Sequence, residues 1–172
     1  IEVNPDATVY TFTLPAKAAW SDGTPLTAKD VVFTYKLAMH PAIVQSGWTT
    51  YLSGIKGMAE YVKDPTKEVA GLEAVNDQTV RITLSAPNGA FLHNTFLGIL
   101  PSHILGKVAP ADLEKSPYVD NPTVTSGPYD FVKFEPGQYI QLKKKANYWG
   151  KPAQIDEVFV KMFESTATML AQ

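Results

Sequence analysis

Residues 20–35 read WSDGTPLTAKDVVFTY, and the fold class follows from how that stretch is read. A polar turn, Ser21-Asp22-Gly23-Thr24-Pro25, gives way within a few residues to an explicit helix start. Thr27 with Asp30 three positions on makes a capping box. The hydroxyl accepts from an early backbone N–H, and the carboxylate sits at the positive end of the helix dipole. Ala28, Val31, Val32, Tyr35, Ala38 and Met39 then share one helical face, and Pro41 ends the helix. Upstream, residues 8–14 read TVYTFTL. Tyr10, Phe12 and Leu14 alternate there with Thr11 and Thr13, the pattern of a half-buried strand.

Downstream the same mixture continues. Ile55–Tyr61 reads as a short helix weakened by Gly54 and Gly57, with Pro65 at its exit. Residues 69–75 and 79–84 flank the turn signal Asn76-Asp77 and predict a hairpin. Residues 91–100, FLHNTFLGIL, read as a short buried helix, and helix starts follow at Ser102 and at 109–115. Pro117, Pro122, Gly127 and Pro128 mark 117–128 as loop or linker. Beyond it, 129–134 and 139–145 form a second hairpin around Glu135-Pro136-Gly137-Gln138, and 157–163 is a further strand. Helices interleaved with antiparallel hairpins predict a mixed α/β, α+β lobe.

Composition narrows the function. The 172 residues carry a formal net charge of −2, too little basic field for nucleic-acid binding. No cysteine is present, which removes disulfides, thiol catalysis and thiolate metal sites. No apolar run is long enough to span a bilayer. The chain starts without Met and stops inside a helical pattern, so it reads as a piece of a longer protein, and a missing signal peptide says nothing about export.

Catalytic motifs are absent. SDGTP is neither a P-loop nor G-x-G-x-x-G. His40, His93 and His103 have no H-E-x-x-H frame or i, i+4 partner. His40 reads as a helix-end cation against the dipole and His93 as a satisfied, buried histidine. No G-x-S-x-G frame surrounds Ser21, Ser53 or Ser126, and the acids are explained by turns and caps. The expectation is no enzyme, no metal and no cofactor. Lys143-Lys144-Lys145 reads as a solvated strand face. Trp20, Trp48, Tyr51, Tyr61, Tyr148 and Trp149 lie near element ends, where aromatics pack or line a cleft.

The blocks YTFTLPAKAAWSDGTPLTAKDVVFTYKLAMHP, GLEAVNDQTVRITLSAP, FLGILPSHIL, TSGPYDFVKFEPGQYIQLKKKANYWG and IDEVFVKMF occur in this order over nearly the whole chain. Together they resemble the solute-binding proteins of peptide ABC transporters, the dipeptide- and oligopeptide-binding family (extracellular solute-binding protein family 5). The resemblance implies a periplasmic-binding-protein-like type II fold, of which this chain is part of lobe I. Residues 1–14 correspond to a strand leading in from the main lobe and 15–124 to the extra inserted domain. Residues 125–172 correspond to return strands and the start of a helix, and the second lobe is absent.

The family's role implies extracytoplasmic capture of di- or oligopeptides and delivery to ABC permease subunits. The location is periplasmic or at the outer membrane face, with membrane contact only through the permease or a lipid anchor outside this chain. By resemblance, Trp48, placed upstream of Tyr51-Leu52, is the ligand contact. Trp20, Asp22, Gly23, Thr27 and Gly127 are structural junction residues, the glycine at 127 allowing a conformation other residues avoid. The alternatives are a nickel-complex or oligosaccharide binder of the same family, or a peptide-sensing interaction module.

Overall fold

The alternation around Tyr10 builds the centre of a sheet. In the computed structural model, which describes residues 1–170, Tyr10 lies opposite Ile82 and Phe12 opposite Val80, pairing β2 (Val9–Thr13) antiparallel with β4 (Thr79–Thr83). The edges are β1 (Glu2–Val3) on β2 and β3 (Leu72–Asn76) on β4, giving the order β1-β2-β4-β3. The β3–β4 hairpin turns at Asp77-Gln78, where Asn76 Oδ1 accepts the Gln78 N–H at 2.9 Å.

Across one face of this sheet lies α1 (Ala28–Met39), which starts and stops where Thr27 and Pro41 predict. Val31, Tyr35, Ala38 and Met39 join Tyr10, Val80 and Ile82 in the core. Val32 is only half-buried, whereas Asp30, Thr34 and Leu37 are buried. Polar groups tolerate this because they are bonded: Thr34 Oγ1 donates to Asp30 O at 2.7 Å and accepts the Leu100 N–H at 2.9 Å.

Between the sheet's strands, a 3-10 turn at Pro41–Ser46 precedes the single-turn α2 (Trp48–Leu52), and α3 (Met58–Lys63) follows. The helix expected at 55–61 begins later because Ile55 is held in a bridge to Leu84. The Ile55 side chain belongs to the core.

The segment 91–100 differs from the buried helix its sequence predicts. Only Phe91–Asn94 coils, as a 3-10 turn, and beyond Phe91 most of the segment lies at or near the surface. Asn88 Oδ1 takes the Ala90 N–H at 3.1 Å, so an Asx turn starts the coil, and Pro101 prevents its extension. The short α4 (Ser102–Leu105) and a 3-10 turn at Pro110–Lys115 complete this part.

The described chain forms two compact units, Ile1–Ala18 with Leu26–Leu113, and Ala19–Pro25 with the chain from Glu114 onward. The second holds α5 (Pro117–Asp120) and an antiparallel sheet of β5 (Tyr129–Glu135), β6 (Tyr139–Lys144) and β7 (Glu157–Lys161), followed by α6 (Thr166–Leu170). The β5–β6 turn places Gly137 at φ +72°, where a side chain would be strained. No described helix is long and apolar enough to cross a membrane.

Candidate functional site

Gly47, at φ +71°, turns the chain into α2. Leu52 anchors that short helix by complete burial, and Trp48 packs one side against the core. From the other direction, the 91–94 turn delivers Phe96 to the same place. The Trp48 and Phe96 rings lie 4.9 Å apart at 50°. Tyr51 stands 5.8 Å from Trp48 and 5.9 Å from Phe96. These are the tilted and edge-on arrangements that aromatic quadrupoles favour. Asn94 Nδ2 donates to Tyr51 O at 3.1 Å and ties the two segments together. Tyr51 remains 49% and Phe96 64% exposed. Trp48, taken from the resemblance alone, therefore sits in an open aromatic face. A helical pattern over 91–100 hides Phe96, although Asn88, Gly89, Gly98 and Pro101 around it are turn signals.

The junction residues fall as follows. Trp20 is 4% exposed. Its N–H donates to Thr24 O at 2.8 Å, and Gly23, at φ +86°, returns an N–H to Trp20 O at 3.0 Å. Asp22 Oδ1 accepts the Thr24 N–H at 2.9 Å. The turn is bonded to the segment before β5: the Ser21 N–H donates to Thr125 O at 2.9 Å, and the Thr125 N–H to Ser21 Oγ at 3.1 Å. The Thr27 N–H donates to Asp30 Oδ2 at 2.8 Å, the return half of the capping box. Gly127 differs from expectation. It is not among the glycines of positive φ, and a Cβ there would meet nothing within 4 Å, so the special freedom of glycine is not used.

Lys145 also departs from the solvated run its sequence suggests. It is 8% exposed, and its Nζ donates to Thr125 O at 2.9 Å and Thr125 Oγ1 at 3.0 Å, with Asp130 at 3.3 Å. Trp149 Nε1 donates to Ser126 O at 3.0 Å, holding the same loop. Lys145 lies just past β6, where the alternation that exposes Lys143 has ended.

The histidines differ too. His93 is exposed, its Nδ1 3.3 Å from Ala90 O. His40 caps α1, but its Nδ1 accepts the Ala42 N–H at 3.2 Å, and burial lowers its pKa, which works against the helix-end cation expected from the sequence. An open groove of about 490 Å³ runs past Val32, Phe33 and Leu37. Its lysines are engaged, Lys36 with Glu68 at 3.0 Å and Lys29 with Asp77 at 4.0 Å. Among the described residues no group of three or more His, Asp or Glu is placed to hold a metal ion.

Known proteins match this chain along its length. A Brucella ovis protein named "putative ABC transporter peptide-binding protein" is 30% identical over 171 residues, 99% of this chain and 29% of the relative. The oligopeptide-binding protein of Haemophilus influenzae, solved with RPPGFSPFR, superposes with a TM-score of 0.81 at 27% identity, covering 99% of this chain and 33% of that one. NikZ of Campylobacter jejuni, solved with Ni(L-His), gives a TM-score of 0.73 at 25% identity over 99% and 31%. The chain thus spans about a third of the length of its relatives, and it has the mixed α/β fold of the corresponding part of oligopeptide-binding proteins. The family described as bacterial extracellular solute-binding proteins, family 5 Middle, matches residues 1–172, and the chain belongs to it.

Proposed function

We propose that this chain is part of the extracytoplasmic substrate-binding component of an ABC importer. That component captures di- or oligopeptides, hands them to permease subunits and catalyses no reaction. The observation that carries this reading is the 30% identity, over 99% of the chain, to a relative named "putative ABC transporter peptide-binding protein". Residues 15–124 take the role of the extra domain and 125–172 that of the return to the main lobe. Trp48 is the ligand contact, and its half-open ring within the Tyr51–Phe96 face supports that assignment. Trp20, Asp22, Gly23 and Thr27 serve as junction residues. Peptide backbone is held by hydrogen bonds indifferent to sequence, directly or through water.

A nickel-complex binder is the second reading, favoured by the similarity to NikZ. Native mass spectrometry of the mature protein containing this chain separates the two. Co-purified masses spaced by amino-acid residues establish the peptide carrier. A nickel-containing adduct in place of peptides establishes the other.

A further inference from the structure

Residues 41–55 and 82–106 contain no Asp, Glu, Lys or Arg, although 19% of the chain is charged. These two stretches supply α2 and the turn that carries Phe96, so the aromatic face is assembled from uncharged chain. Its polar neighbours Thr49, Thr50, Asn94 and Thr95 are neutral. The outer rings are held in place despite their exposure: Asn94 bonds Tyr51 O, Thr95 Oγ1 donates to Leu92 O at 2.8 Å, and all three rings contact one another. Side chains kept 49% and 64% exposed at fixed positions offer apolar area whose ordering cost is already met by the fold.

Resting on the peptide-binding reading with Trp48 at the ligand, we infer that Tyr51 and Phe96 complete a side-chain subsite. The subsite selects peptides that carry an aromatic or large apolar side chain. A ligand ring docks edge-on or offset against Phe96 and Tyr51, extending the arrangement the three rings already have. A carboxylate placed there would lose water, and neither stretch supplies a Lys or Arg to pair with it. A guanidinium or ammonium would be drawn by the ring faces alone, with no acid in either stretch to pair with it.

The test uses the mature protein that contains this chain, incubated with a synthetic peptide pool of mixed composition, and sequences the bound fraction by mass spectrometry. The wild type is expected to enrich peptides containing Phe, Tyr, Trp or Leu. Phe96→Ala is expected to reduce that enrichment by about fivefold or more while still binding peptide, and Phe96→Tyr to restore it. Tyr51→Ala is the second variant, and circular dichroism checks that each is folded. Bound peptides without this enrichment, enrichment unchanged in both Ala variants, or preference for Lys and Arg overturns the subsite and leaves the peptide reading standing. A wild type that retains no peptide overturns both.

Discussion

Asp30 Oδ1 accepts both the backbone N–H of Ser102, at 3.0 Å, and its hydroxyl, at 2.6 Å, across 72 residues of chain. The other carboxylate oxygen takes the Thr27 N–H. One side chain, 3% exposed, thus starts α1 and fastens the beginning of α4 to it. Asp30→Ala leaves three part-buried donors without this acceptor and is expected to cost about 3 kcal/mol. Urea unfolding of Asp30→Ala should therefore show a much lower midpoint than that of Thr27→Ala, whose cap is worth about 1 kcal/mol.

Trp20 anchors the turn that bonds to Thr125. With the ring buried, Trp20→Ala is expected to destabilise the protein by roughly 3–5 kcal/mol. An unchanged thermal unfolding midpoint would remove Trp20 from the architectural role.

Lys145→Met should separate a buried clamp from a solvated lysine. It removes charge-assisted bonds to Thr125 and the pair with Asp130, an expected loss of about 2 kcal/mol. Lys143→Met, on the exposed side of β6, should stay within about 0.5 kcal/mol of wild type in the same denaturation experiment.

Gly71 sits where a Cβ would lie 2.3 Å from Thr83 O and 2.8 Å from Lys56 N. Backbone on both sides cannot yield, so Gly71→Ala is expected to cost about 3 kcal/mol. Gly98→Ala meets nothing within 4 Å and serves as the control.

His40 predicts a pH dependence. Burial sets its folded pKa below the ordinary 6.5, so the unfolded chain binds this proton more strongly. The stability it supports is present above about pH 6.5 and is lost as pH falls through the folded value. The melting temperature should drop on acidification, and drop less in His40→Asn, whose Oδ1 accepts the Ala42 N–H without titrating.

Sequence by itself determined the local elements. The start and stop of α1, the β3–β4 and β5–β6 hairpins and β2 are written in caps, prolines, turn residues and alternation, because each depends on neighbours within a few positions. The order of the motif blocks also carried the family, though not the ligand. Tertiary structure alone decided that Tyr10 faces Ile82, that Asp30 meets Ser102, that Lys145 turns inward onto Thr125, and that Phe96 leaves a hydrophobic run to stand beside Trp48 and Tyr51. Each of these joins residues far apart in the chain or sets burial against local pattern. Periodicity shows which residues share a face; what that face meets depends on the packing of distant segments.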